Sequence, residues 1–371
     1  MIIKKVTLFV SNLCTAGGTE RVTSSLGNEL VKKYHCSIIT LFKDKKIFFD
    51  INKKIKIINI YSKNQRLRKI FISSIVSMIR ILKENEIQII IVVGRNNNIM
   101  PLIAGYFTKT KIIFCEHSSI VGYKVRKETL KEKIYRKIFQ FLIIKLSYRI
   151  VVLTQKEYLL YQQLYNINKN KMLIIHNFYN NELLCNLRYY NKYSKQIISV
   201  GGLNYAKGYE YLIEVAKLVF DKYPDWQWHI YGDGETEYKN KIIDLIKRNN
   251  LQSHVILMGN RSDIYDLYQK YSFYVMTSRY EGLPMVLLEA KAKKLPIISF
   301  DINSGPSDIV RDGVDGYLVI PFDCNTMADK ICELIENPEL RQKFSDNAHG
   351  NIDKFSKEKI MKQWCDLIDG L

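Results

Sequence analysis

Short apolar runs rich in β-branched residues alternate along this chain with longer segments whose hydrophobic positions recur every three or four residues. The first pattern belongs to strands and the second to amphipathic helices, and their alternation marks βα units in parallel sheets. Strands are expected at Val6–Val10, Ser37–Leu41, Ile89–Val93, Lys111–Phe114 and Arg149–Leu153, with helices near 20–33, 67–85, 126–146 and 155–164. The pattern stops over 177–195, a polar stretch rich in Asn and Tyr that reads as a linker. It restarts with an expected strand at Ile197–Val200, a Gly201-Gly202 turn and an expected helix at Tyr209–Phe220. Further strands are expected at Trp228–Tyr231, Val255–Met258, Phe273–Met276, Pro296–Ser299 and Tyr317–Val319, and Phe355 to Leu371 reads as a last helix with Trp364 and Leu367 on its apolar side. The fold implied is α/β: two doubly wound Rossmann-like domains facing a cleft, residues 1–188 and 189–355, followed by the helix 356–371. Sheets of this kind hold ligands at the carboxyl ends of their strands.

Charge changes the picture. The chain of 371 residues carries a net charge of +19. Residues 1–190 hold 33 Lys and Arg against 11 Asp and Glu, and residues 191–371 hold 23 against 26, so the excess lies wholly in the first half. That asymmetry implies an anionic partner, nucleic acid or an anionic membrane surface, unless it is compositional drift in a Lys-, Asn- and Ile-rich proteome. The seven cysteines are scattered and never spaced as C-x-x-C, which argues against a disulfide framework or zinc cluster and for a reducing cytoplasm. Met1 leads at once into the first strand rather than a signal peptide, and no apolar run approaches the roughly 20 residues of a spanning helix. Membrane association is therefore expected to be peripheral.

Candidate chemistry gathers at expected strand ends. The strongest segment runs from Ser278 to Ala290 and follows the strand at Phe273–Met276. Gly282 and Pro284 open a helix there, and its first amides form an anion site suited to a phosphate. Glu281 precedes the helix and Glu289 lies about two turns into it, both near one side of its start. Two carboxylates around a phosphate cradle suit neutral hydroxyls on either side, such as those of a sugar and a ribose. The plainer alternative is that Glu281 caps the helix and Glu289 pairs with a lysine. A second segment, Val200 to Gly208, ends a strand in Gly201-Gly202 and places Lys207 as a point charge before the next helix. Tyr231-Gly232-Asp233-Gly234 ends another strand as a tight turn. Gly17 and Gly18 follow the first strand, Glu116-His117 follows the strand at Lys111–Phe114, and Ser304-Gly305-Pro306 follows the strand at Pro296–Ser299. Each admits a structural reading, but all fall at strand carboxyl ends.

Taken together these segments resemble glycosyltransferase family 4, retaining enzymes of the GT-B fold. The resemblance covers almost the whole chain: GGTERV (17–22), EH (116–117), HNF (176–178), VGGLNYAKG (200–208), YGDG (231–234), SRYEGLPMVLLEA (278–290), FDINSGPSDIV (300–310) and GVDGYLV (313–319). It implies that the first domain binds an acceptor and the second a nucleotide-sugar donor, with UDP the usual carrier. It also implies that the last helix crosses back to the first domain. By position, Glu281 resembles the residue holding donor-sugar hydroxyls, Glu289 the ribose ligand and Lys207 the diphosphate lysine, joined by the backbone of Met285 and Val286. Gly17 and Gly18 resemble the loop over the donor phosphates, and His117 a histidine near the reacting sugar. The family often has Arg where Gly202 stands here, and Arg21, Arg261 or Arg279 could supply that charge.

The activity implied is retaining transfer of a hexose or N-acetylhexosamine to an acceptor hydroxyl, with neither cofactor nor metal. A basic amphipathic segment, with Lys124, Arg126, Lys127, Lys131, Lys133, Arg136, Lys137 and Lys145 among Ile134, Tyr135, Ile138, Phe139, Phe141 and Leu142, suits an anionic leaflet. A lipid-linked or saccharide acceptor in bacterial surface polysaccharide assembly, at the inner face of the cell membrane, would fit it. An ordinary solvated helix is the alternative. A sugar-nucleotide epimerase on the same scaffold leaves the paired glutamates without a use. A nucleic-acid-binding protein leaves the strand-end segments without one, and no nucleic-acid module is present.

Overall fold

In the computed structural model, which describes residues 3–15, 17–43, 46–61, 67–94, 99–120, 129–185, 187, 190–261 and 263–371, the strand pairings are parallel throughout. Parallel neighbours need long crossovers, and the amphipathic segments supply them. The chain divides into two compact units: Met1–Ser118, Arg126–Asn177 and Ile360–Leu371 form the first, and Phe178–Lys359 the bulk of the second. The main division thus falls at the head of the polar stretch 177–195.

In the first unit β1 (Lys5–Phe9), β2 (His35–Phe42), β3 (Lys56–Tyr61), β4 (Ile89–Val93), β5 (Lys111–Cys115), β6 (Arg149–Val152) and β7 (Met172–Ile174) form one sheet in the order β3-β2-β1-β4-β5-β6-β7. Its helices are α1 (Gly18–Leu30), α2 (Leu67–Glu84), α3 (Ile99–Thr108), α4 (Leu130–Leu146) and α5 (Gln155–Tyr165). Strand order reverses between β1 and β4, because α2 carries the chain from the β3 edge back across the sheet. The central strands are apolar at nearly every position and buried, as a sheet covered on both faces requires. Local chemistry sets the helix starts: Thr129 and Glu132 form a reciprocal capping box before α4, and Thr154 caps α5 through the Glu157 amide.

Three of these elements escape the sequence pattern. β3 is an edge strand, exposed at Lys56 and half-buried from Ile57 to Tyr61, so it lacks the contrast between an inward and an outward face. β7 has only three residues. α3 is apolar almost all round, and a helix without a polar face shows no period. The expected helix over 126–146 is seen from Leu130, and 126–128 lie outside the described residues.

The second unit repeats the plan. β8 (Gln196–Val200), β9 (Gln227–Tyr231), β10 (Val255–Gly259), β11 (Phe273–Met276), β12 (Ile297–Phe300) and β13 (Gly316–Val319) lie in the order β10-β9-β8-β11-β12-β13. They are joined by α6 (Tyr209–Phe220), α7 (Thr236–Arg248), α8 (Ile264–Leu267), α9 (Met285–Ala292) and α10 (Pro306–Ile309), then followed by α11 (Cys324–Glu336) and α12 (Pro338–Asn347). Here the order reverses between β8 and β11. The last helix, α13 (Lys357–Asp369), buries Ile360, Trp364, Leu367 and Ile368. Its end is held by the first unit: the Lys4 ammonium donates to the carbonyls of Ile368 and Asp369 at 2.8 and 2.9 Å, and Asp369 accepts from Lys33 at 2.6 Å and Tyr34 at 2.8 Å.

Candidate active site

The reversal point of the second sheet is built open. The buried phenol of Tyr274 on β11 accepts from the Val200 amide at 3.2 Å and donates to the Val200 carbonyl at 3.0 Å. A side chain thereby ends the β8–β11 ladder, which pairs only Ile197 and Ile198 with Phe273 and Tyr274. Beyond it the two strands hand over to separate loops, the place where such sheets receive ligands.

The loop after β8 is shaped around Lys207. A Cβ on Gly201 would lie 2.9 Å from Lys207 Cε, so the missing side chain is what lets the lysine stem fold back across the strand end. Asn204 caps the short turn Tyr205–Lys207 by accepting from the Ala206 amide at 3.0 Å. Gly208 then takes a left-handed conformation, φ 61°, and turns the chain into α6. The loop after β11 is tied to this one twice: the Arg279 amide donates to the Ala206 carbonyl at 2.7 Å and the Thr277 hydroxyl to the Lys207 carbonyl at 3.2 Å. Lys207 and Glu281 meet as a result, Nζ to Oε1 at 2.6 Å, both largely shielded from solvent. The buried Ser278 hydroxyl donates to the same Glu281 oxygen at 2.8 Å.

Gly282 and Pro284 lead from this pair into α9, which begins at Met285. The amides of Met285 and Val286 belong to the first turn and have no acceptor within the helix. Glu289, one turn beyond Met285, shares its face of the helix. It is buried and its Oε2 accepts from the Tyr268 hydroxyl at 3.0 Å. The far end of α9 is anchored by a buried ion cluster. Lys291 Nζ and Arg311 Nε reach Asp315 Oδ2 at 2.7 and 2.6 Å, and His349 meets the Ala292 carbonyl at 2.9 Å. Burial pulls the Lys291 ammonium down to about 8 although Asp315 opposes the shift.

Two of the three cations named as replacements for an arginine at position 202, Arg279 and Arg261, are engaged with acidic partners. Arg279 is clamped between the rings of Tyr205 and Tyr211, 4.1 and 4.7 Å from their centres, and its Nη1 donates to Glu210 at 3.0 Å. Burial alone would raise the Glu210 carboxyl, but Lys241, Tyr238 and Arg279 together bring it to about 2. Arg261 follows β10, the edge strand two places from β8, and forms a two-pronged pair with Asp263 at 2.8 and 2.6 Å. Gly202 lines the β8 loop, where an added Cβ would stand 3.1 Å from the Asn204 side-chain nitrogen.

The first unit has its own strand-end cluster. Gly17 caps α1 with no side-chain bond, and a Cβ on Gly18 would meet nothing within 4 Å. Gly94, ending β4 across the reversal point, lies against Thr19. Glu116, after β5, is buried and accepts from Tyr161 at 2.6 Å and Ser118 at 3.0 Å. Its neighbour His117 loses hydration, which lowers its pKa to about 4 and keeps the imidazole neutral near pH 7. Among the described residues there is no cluster of three His, Cys, Asp or Glu side chains able to hold a metal ion.

Sequence reasoning named Lys207, Glu281, Met285, Val286 and Glu289, and the structure gathers all five around one helix start. Tyr274 and Tyr268 lie outside the strand-end loops and were not singled out, and Asp315 stood in the quoted segment 313–319 with no role assigned. Ser278 stood in the quoted segment, but no spacing marked it.

Residues 16–183 match the family described as Glycosyltransferase Family 4 and residues 190–350 the one described as Glycosyl transferases group 1. An uncharacterised glycosyltransferase of Haemophilus influenzae is 31% identical over 370 residues, covering 99% of this chain and 100% of its own. The chain belongs to glycosyltransferase family 4. The transferase is also 25% identical over 384 residues to a Campylobacter jejuni enzyme named as an alpha-1,4-N-acetyl-D-galactosaminyltransferase acting on a GalNAc-alpha-(1->4)-GalNAc-alpha-(1->3)-diNAcBac-PP-undecaprenol, covering 98% of each chain. A variant of TarM of S. aureus, solved with fondaparinux, alpha-GlcNAc-glycerol and UDP, superimposes with a TM-score of 0.80 over 98% of this chain and 99% of that one, at 20% identity. The two-unit architecture of the transferase is thus the GT-B fold.

Proposed function

We propose that this transferase moves a sugar from a UDP-sugar to an acceptor hydroxyl with retained anomeric configuration, and that the acceptor is a lipid-linked saccharide of bacterial surface polysaccharide assembly. The observation that carries the donor half is the meeting of Lys207 and Glu281 at the start of α9, with Glu289 on the same helix. A diphosphate seated against the Met285 and Val286 amides finds helix-end donors and the Lys207 ammonium together. As the glycosidic bond breaks, charge grows on that diphosphate, and donors already in place stabilise it without reorganisation. Glu281 then accepts from sugar hydroxyls and Glu289 from ribose. A β-phosphate oxygen takes the acceptor proton.

UDP as carrier and a lipid-linked acceptor are supported by what the TarM structure holds and by what the Campylobacter jejuni enzyme is named for acting on. Work at the inner membrane surface is supported by the basic first half of the chain. The test is a panel of nucleotide sugars screened by thermal shift, followed by nucleotide release with and without acceptor. Stabilisation by UDP-sugars and release of UDP that requires an acceptor are expected. Release of nothing, with the donor sugar converted to its epimer, would overturn the reading.

A further inference from the structure

α2, α3 and α4 lie side by side on the first unit, α2 packed on α3 and α3 on α4, and their outer faces are apolar where a solvated face would be polar. On α4 only Phe139, Gln140 and Ile143 are buried. Leu130, Ile134, Ile138 and Phe141, spaced by four, four and three residues, form one stripe exposed by 50–73%. α3 presents Tyr106 and Phe107, exposed by 63 and 64%, and α2 presents Ile72 and Val76, exposed by 76 and 52%. Single exposed hydrophobes are ordinary on soluble proteins, but here each of three adjacent helices exposes large apolar side chains, and such concentrations mark interaction sites.

Charge identifies what the patch meets. α2 and α4 carry nine Lys and Arg against two carboxylates, Glu84 and Glu132, and Glu132 is tied into the capping box. α3 carries no charge at all. Lys133 and Lys137 flank the α4 stripe on exposed positions, and Arg80 and Lys83 continue the outer ridge of α2. A second copy of the chain would set this excess of positive charge against itself across a self-complementary contact. A bilayer with anionic headgroups takes both components at once: apolar side chains enter the boundary of the acyl region while long basic side chains reach phosphates.

We infer that the outer face of α2, α3 and α4 is the surface by which the transferase docks on an anionic lipid bilayer. The inference rests on the reading of a membrane-borne acceptor and names the surface that serves it. The full chain is to be sedimented with phosphatidylcholine vesicles with and without phosphatidylglycerol, at low and high salt. Three variants accompany it: Tyr106→Ser with Ile134→Ser and Ile138→Ser, Lys133→Gln with Lys137→Gln, and Ile320→Ser as an exposed apolar control on the second unit. Wild type and the control are expected to bind only the anionic vesicles. The other two should bind on the order of tenfold more weakly or less, the lysine variant with reduced salt dependence. All positions are exposed, and melting with and without UDP on the same samples reports folding and donor binding. Binding of both face variants equal to wild type would overturn the surface while leaving membrane attachment intact. Wild type stabilised by UDP but indifferent to vesicles would overturn membrane docking and leave the transferase reading standing. A self-association abolished by the apolar variant would give the face to a second copy instead.

Discussion

A carboxylate held 2.6 Å from an ammonium and bonded again by a buried serine is not a general-purpose charge. Before a donor arrives, Lys207 and Glu281 satisfy each other, and Ser278 fixes the oxygen they share. Glu281→Gln keeps the shape but removes the charge that orders the lysine and, in the proposed role, a sugar hydroxyl. Loss of one charge-assisted bond lowers kcat/KM by roughly 10- to 100-fold, measurable with donor varied at fixed acceptor. Near wild-type kinetics would remove Glu281 from sugar binding. His117 gives a second expectation. Its folded-state pKa is lowered by burial from the ordinary 6.5 to about 4, so between those values the unfolded chain binds a proton that the folded one refuses. Stability from this group is therefore complete above pH 6.5 and declines as pH falls toward 4. NMR titration of the ring is expected to show a midpoint well below 6; one near 6.5 would contradict it.

At the scale of elements, α9 is fixed at both ends by different means. Its start is an array of open amides beside an ion pair, and its far end is locked by Lys291 and Arg311 on Asp315. Asp315→Asn leaves the buried Lys291 and the partly exposed Arg311 without their counter-charge, and breaking a buried pair costs about 3–5 kcal/mol. A matching fall in the denaturation midpoint of the second unit is expected, partly restored by adding Lys291→Met; an unchanged midpoint would show the cluster to be dispensable. The start of α9 could be read from sequence because Gly282, Pro284 and the flanking glutamates announce a helix N-terminus. Asp315 could not, because it lies before β13 and meets Lys291 only through the packing of the sheet. The same divide runs through the fold. Strands such as β4, five apolar residues in a row, declare themselves, whereas β3 at the edge and the wholly apolar α3 lack the contrast on which periodicity depends.

For the whole molecule, the expected chemistry uses an ammonium and helix amides where other transferases use a divalent ion. Turnover is expected to survive EDTA largely unchanged, and restoration of a lost activity by Mg²⁺ or Mn²⁺ would reverse that expectation. The charge asymmetry between halves was legible at once, as were α2 and α4, which carry part of it, but their packing on either side of the uncharged α3 was not, since that adjacency is a property of the fold. The end of α13 carries a last consequence. Because Ile360–Leu371 belongs to the unit that begins with β1, the unit whose strands leave the ribosome first must wait for residues 360–371 before its fold is complete. A nascent chain stalled before residue 360 should therefore show a protease-sensitive first unit beside an already resistant second one, and release of the last helix should close the gap.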